Sequence, residues 1–237
     1  MWAAATGPMV LASWVAAPLA ADVFGRDSAG HSLTRPLIVA LTVALVWQFV
    51  LVGVLVVREQ RTLRWKQLCS ALWLSAPRLE NGRTSRRLWL LLIPLSVLFI
   101  AVEFVPSLPA PAERDFATIL STEEGRAFLH QSWGWFTVIV VMFVFNTFLG
   151  EELLFRGYLL PRMNAAFGKA DWVANGILFA AYHLSQPWTI PTILFDTFIL
   201  SWPSRRFRSA WFGIIVHSTQ SVFLVIVLFT IVRSNGS

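Results

Sequence analysis

The chain has 237 residues, of which 56% are hydrophobic and 14% charged, about half the charge of an ordinary globular domain. Mean hydropathy is +0.63. That leaves too little polar surface for a water-soluble domain of this size, and it excludes a disordered chain, a coiled coil and a disulfide scaffold. Cys69 is the single cysteine and forms no intramolecular bridge. The net charge of +6 does not indicate a nucleic-acid partner, because the cations sit in short segments between apolar runs and the aromatics lie within those runs. Twelve Trp suit a membrane interface, where an apolar ring keeps its N–H wet. The expected fold is all-α: a polytopic transmembrane helical bundle of six to eight membrane helices, with the lipid bilayer as its solvent.

In chain order, Pro8–Phe24 is the first apolar run. It reads as a retained helix, since no Lys or Arg precedes Arg26 to form the basic start of a signal peptide. Pro36–Val57 has no formal charge and is long enough to span a bilayer. Leu88–Val105 follows, interrupted by Glu103 within reach of an interface. Trp133–Gly150 continues into Glu151-Glu152-Leu-Leu-Phe-Arg156. Trp172–Gln186 and Trp188–Trp202 are shorter and separated by Pro187, and Ala210–Val232 is broken only by His217. Alternation of the six later spans places segments 58–87, 151–171 and 203–209 on one side. These carry fourteen of the nineteen Lys and Arg residues, so that side is expected to be cytosolic. The chain reads as one integrated membrane domain, with residues 1–130 as N-terminal helices and a basic loop and 131–237 as the core.

A charged or titratable group at membrane depth costs at least a few kcal/mol and requires a reason. Glu151 and Glu152 point roughly 100° apart on a helix, so they cannot serve one site in the same way. Glu152 and Arg156 stand i,i+4 with the acid first, the favourable order for a pair. That leaves Glu151 on another face, available as a base toward water. The plainer reading is a charged helix end at the cytosolic surface. His183 lies eight residues after Asn175, and His217 has Gly213 one turn before it and Gln220 and Ser221 one turn after; a small residue there lets another helix approach closely. A lone membrane histidine is ordinarily a packed, hydrogen-bonded residue. Measured from the cytosolic ends of their runs at 1.5 Å per residue, Glu151, His183 and His217 lie roughly 15, 18 and 12 Å deep. All three can therefore meet in one polar cavity open to the cytosol.

Several chemistries compete for such a cluster. His-Glu-x-x-His is absent, although two His and a Glu can still bind zinc. Ser185 and Ser218 stand beside the histidines but point elsewhere on their helices, and a paired-aspartate mechanism lacks a second membrane Asp beside Asp196. A glutamate acting on water, with His groups to orient and donate, fits the residues best and needs neither metal nor cofactor.

Glu151-Glu152-Leu-Leu-Phe-Arg156 resembles the Glu-Glu-x-x-x-Arg motif of the CAAX prenyl protease and bacteriocin-processing (CPBP, Abi) family. Phe179-Ala-Ala-Tyr-His183 is similar to its Phe-x-x-x-His motif, and His217-Ser-Thr-Gln-Ser221 to its His-x-x-x-Asn motif, over roughly residues 135–225. The resemblance implies a glutamic intramembrane endopeptidase of a multi-pass membrane protein, in all expectation of a bacterial plasma membrane. Glu151 would be the general base, assisted by His183; Glu152 and Arg156 the supporting ion pair; His217 part of the oxyanion hole. The family's Asn is Ser221 here, and Gln220 or Ser221 would supply its hydrogen bond. The implied partner is a peptide or protein substrate with a membrane-associated segment. A non-proteolytic membrane regulator or immunity protein of the same family is the alternative.

Overall fold

The computed structural model describes residues 1–24, 33–102, 104–105, 108–116 and 122–234. Among them the structure is helical, with a single strand-like bridge between Arg78 and Thr84. Glu103 and Arg26 lie outside the described residues.

Helix α1 covers Trp2–Phe24, with wider π-type turns over Ala12–Ala16. Helix α2 is Thr34–Gln60. Pro36 falls in its first turn, where a missing N–H leaves no hydrogen bond unmade, and the helix stops where Arg61 turns left-handed at φ 49°. Helix α3 is the short Trp65–Ala71. Helix α4 is built from the 3₁₀ segment Arg86–Leu91 and the α-helical Leu92–Val102. Helix α5 is Glu123–Leu129, capped by Thr122, whose hydroxyl accepts from the Gly125 N–H at 3.2 Å.

Helix α6 starts at Trp133–Phe143, widens into π-type turns over Val144–Leu159 and finishes as Leu160–Phe167. The chain breaks at Gly168, whose φ of 54° with ψ of −129° is a conformation that favours glycine, and resumes as helix α7, Asp171–Tyr182. His183–Ser185 and Pro187–Thr189 are 3₁₀ turns. Helix α8 combines Ile190–Asp196, π-type Thr197–Ser201 and Trp202–Phe207, and helix α9 is Trp211–Arg233.

Four helical stretches among the described residues are long and apolar enough to cross a membrane: Trp2–Phe24, Thr34–Gln60, Trp133–Ser185 and Trp211–Arg233. The third contains 53 residues. That is far more than one crossing of a ~30 Å hydrocarbon layer requires, and it holds the break at Gly168.

The π-type part of α6 is the centre of the bundle. Helix α2 packs along it, α9 packs on it from another side, and α9 also contacts α4. Leu154, Phe155, Phe212 and Val216 are buried where these helices meet. Helix α1 is fastened across the top of this arrangement by side-chain donors. Trp2 Nε1 donates to the Leu178 carbonyl at 2.8 Å, Trp14 Nε1 to Leu184 at 2.9 Å, and Trp47 of α2 donates back to Ala4 at 2.9 Å. The indoles expected at a membrane interface thus also tie one helix to another, because each offers an N–H to a backbone carbonyl of a neighbour.

Candidate active site

Glu151, Glu152 and Arg156 all belong to the π-type segment of α6, and all three are buried. The expected ion pair is formed: Arg156 Nη1 donates to Glu152 Oε1 at 2.9 Å. His217 of α9 joins it, with Nδ1 3.0 Å from the same Oε1. The contact fixes the imidazole with Nδ1–H toward the carboxylate, leaving Nε2 free to face elsewhere. The Arg156 guanidinium lies 4.0 Å above the centre of the Phe179 ring, a cation–π contact that helps hold a buried charge. Phe99 stands edge-on to His217 at 5.5 Å.

Close approach of α9 to α6 depends on Gly213. A Cβ at that position would collide with Glu152 Oε2. The small residue one turn before His217 therefore lets the carboxylate reach the imidazole. Gly176 performs a similar service on α7, where a Cβ would strike the Thr197 side chain of α8.

Glu151 points away from this cluster. Its Oε1 lies 3.9 Å from Nε2 of His183, and its Oε2 has no hydrogen-bond partner. His183 falls in the 3₁₀ turn just beyond α7, with Nδ1 2.9 Å from the Phe179 carbonyl. That carbonyl can only accept, so Nδ1 carries the hydrogen and the Nε2 lone pair faces Glu151.

Tyr182 reaches the Glu151 carboxyl with its hydroxyl, and that hydroxyl accepts from Gln48 Nε2 at 2.6 Å. The sequence reading missed both residues. Gln48 is uncharged within an apolar run, so a search for charged and titratable groups passes over it, although a fully buried amide in a membrane helix is itself a signal.

Glu151, His183, His217, Gln220 and Ser221 all line one cavity of about 240 Å³. Apolar residues of α2, α4 and α6 form part of its wall, including Leu41, Leu45, Phe99 and Met142. Asn146, Asp196, Thr189 and Thr192 add polar groups that the motifs do not contain. Asn146 stands five residues before Glu151, one π-type turn away. Ser185 also lines the cavity, contrary to the expectation that it points elsewhere: the helix ends at Tyr182, so α-helical spacing does not carry through to Ser185. Asn175 plays a different part, donating to the Phe155 carbonyl at 2.9 Å and accepting from Ser201 at 3.0 Å, which fixes α7 between α6 and α8. Among the described residues, no group of three or more His, Cys, Asp or Glu is arranged to hold a metal ion.

Residues 133–223 match the Rce1-like family of type II CAAX prenyl endopeptidases. The matched segment holds all three motifs, and the resemblance drawn from them is borne out over it. This is a family of proteases, and together with the apolar helices it supports a membrane-embedded hydrolase. No curated protein and no solved structure matches the chain.

Proposed function

We propose that the chain is an integral membrane endopeptidase of the glutamic type, which hydrolyses a peptide bond in a substrate with a membrane-associated segment. The observation that carries this reading is the 3.9 Å gap between Glu151 Oε1 and His183 Nε2 on the wall of a polar cavity. The gap is too long for a direct hydrogen bond. It is close to the separation of two acceptors that share one water. A water held there gives one O–H to each acceptor and turns a lone pair into the cavity.

In this reading the water oxygen attacks the peptide carbonyl carbon while Glu151 takes its proton. Glu151 then returns that proton to the amide nitrogen as the C–N bond breaks. Tyr182 and Gln48 hold Glu151 in position. The oxyanion needs donors, and four side chains on the cavity wall can provide them: His217, Gln220, Ser221 and Asn146. Neutral His217 with Nδ1–H on Glu152 has only an acceptor left at Nε2, so it donates to the oxyanion only as imidazolium. Asn146 brings a carboxamide from α6, and we assign to it the amide role that the family gives to the residue at Ser221. Glu152 and Arg156 brace His217. No step uses a metal. The six to eight crossings, the cytosolic opening of the cavity and a place in the bacterial plasma membrane belong to this proposal. They rest on the apolar runs and the Lys/Arg distribution.

A non-proteolytic regulator remains the second reading, favoured by one observation: Ser221 replaces the family's Asn in the third motif. Purified protein, tested in excess chelator on an internally quenched prenylated CAAX peptide, separates the two. Protein termini in membranes from cells with and without the chain extend the test to other substrates. Glu151→Gln should remove 10²–10⁴-fold of the rate, the usual worth of a general base, at unchanged melting temperature. Cleavage unaffected by that change would overturn the mechanism. A wild-type chain that alters no terminus would favour the regulator, and activity restored only by zinc would make the histidines and Glu151 metal ligands.

A further inference from the structure

A second cleft lies apart from the candidate active site, where the loop after α3 meets the start of α7 and the end of α8. It encloses about 240 Å³, and its lining includes Glu80 together with Arg78, Arg205, Arg206, Arg208, Trp172 and Trp202. This cleft is built rather than assembled from loose surface chains. The Arg78 N–H donates to the Phe207 carbonyl at 2.9 Å, Ser209 Oγ donates to the Ser75 carbonyl at 2.7 Å, and the Ala210 N–H donates to Trp73 at 2.9 Å. These bonds stitch the loop to the end of α8, and Arg208 is held left-handed at φ 48° between them.

The charges in the cleft do not balance. Arg205 pairs with the buried Asp171, and Arg206 with Glu80 at 3.2 Å. Arg78 and Arg208 have no carboxylate partner among the described residues, so the cleft carries an excess of positive charge. Two guanidinium groups presented together suit a phosphate, which they bind in bidentate fashion. One wall of the cleft continues as an apolar face. Trp172 stacks edge-on against Phe198 at 5.5 Å, and Trp202 follows Phe198 by one turn of α8. Phe198 is 62% exposed and Ile177 on α7 is 55% exposed. A ligand seated here would meet cations at one end and a bare hydrocarbon surface at the other.

We propose that this cleft binds the headgroup of an anionic phospholipid, with the phosphate between Arg78 and Arg208 and the acyl chains along Phe198 and Trp202. A free phosphate has the same headgroup chemistry but no use for the apolar wall. The Trp pair marks the level of the interface, where basic pockets between membrane helices collect anionic headgroups. Such a lipid would lock the loop after α3 to α7 and α8 without touching the cavity that holds Glu151.

The test uses full-length protein in mild detergent and native mass spectrometry with added phosphatidylglycerol or phosphatidylcholine. Wild type should retain one phosphatidylglycerol and no phosphatidylcholine. The double variant R78Q/R208Q breaks no ion pair, and it should weaken phosphatidylglycerol retention about tenfold or more at low ionic strength. R83Q/R87Q removes the same charge from the same basic segment, residues 58–87, and should leave retention unchanged. Should R78Q/R208Q fail to fold, R78K/R208K is read instead, and it should bind less tightly than wild type because it loses the bidentate fork. Equal loss in both glutamine variants would mean diffuse attraction and overturn the site, as would unchanged retention in R78Q/R208Q. Displacement of the lipid by millimolar inorganic phosphate would overturn the lipid assignment in favour of a soluble anion.

Discussion

Glu152 accepts from both Arg156 and His217, while its second oxygen and two of the arginine nitrogens have no partner. A buried ion pair with unfilled positions gains little net stability over an apolar replacement, yet removing one member leaves a bare charge. Arg156→Ala should therefore cost about 3–5 kcal/mol and lower the folded yield in detergent. Arg156→Lys should rescue only in part, because an ammonium lacks the planar face that lies on Phe179. Thermal unfolding of both variants checks this; a normal melting temperature with lost cleavage would move Arg156 into direct contact with substrate. Asn146 allows a sharper separation of roles. Asn146→Leu keeps the size and removes the donor, so kcat should fall by about 10²–10³ with little change in KM if the amide meets the oxyanion. Ser221→Asn on that background should recover part of the loss, since both side chains line one cavity.

Among the elements, α6 decides the geometry. In an α-helix Glu151 and Glu152 diverge by roughly 100°, and the wider π-type turn reduces that angle while keeping the two carboxylates in different surroundings. The sequence reading anticipated that Glu152 pairs with Arg156 while Glu151 faces elsewhere, but not the widening of the helix there. Nothing in Val144–Leu159 marks a change from i+4 to i+5 hydrogen bonding, because the two helices draw on the same residues. The same blindness misplaced Ser185, where helical spacing was carried past the end of α7. Gln48, Tyr182 and Asn146 were overlooked for another reason: they are polar without being charged, and their importance comes from helices distant in sequence. Gly213 was legible, since a small residue one turn from a membrane histidine invites a close neighbour. Gly213→Ala should drive α9 away from Glu152 and cost about 1–3 kcal/mol in unfolding experiments, the usual penalty for overpacking. Gly213→Ala combined with Glu152→Gln should not relieve the clash, because the amide is as large as the carboxyl.

For the whole molecule, the charge distribution carries more information than the apolar runs. Four stretches in the structure are long and apolar enough to cross a membrane, and helices α4 and α8 are not among them. The Lys- and Arg-rich segments 58–87 and 203–209 nevertheless meet, with the Arg78 N–H donating to the Phe207 carbonyl. In the orientation we propose, both segments lie in the cytosol. Cys69 lies in the first of them, on α3, and burial pushes its thiol above the ordinary cysteine pKa. Burial disfavours the thiolate, and only the thiolate reacts with a maleimide. Cys69 should therefore label more slowly at neutral pH than an exposed thiol, and its rate should keep rising at pH values where an exposed thiol has levelled off. Introducing Cys at Arg83 in a Cys69→Ser background gives the exposed comparison, because Arg83 is exposed on the loop that follows α3. In intact cells neither thiol should react with a membrane-impermeant maleimide, and in inverted vesicles both should react, Cys69 the slower of the two. Labelling of position 83 from outside intact cells would reverse the orientation and place the basic cleft, with any lipid it holds, on the opposite leaflet.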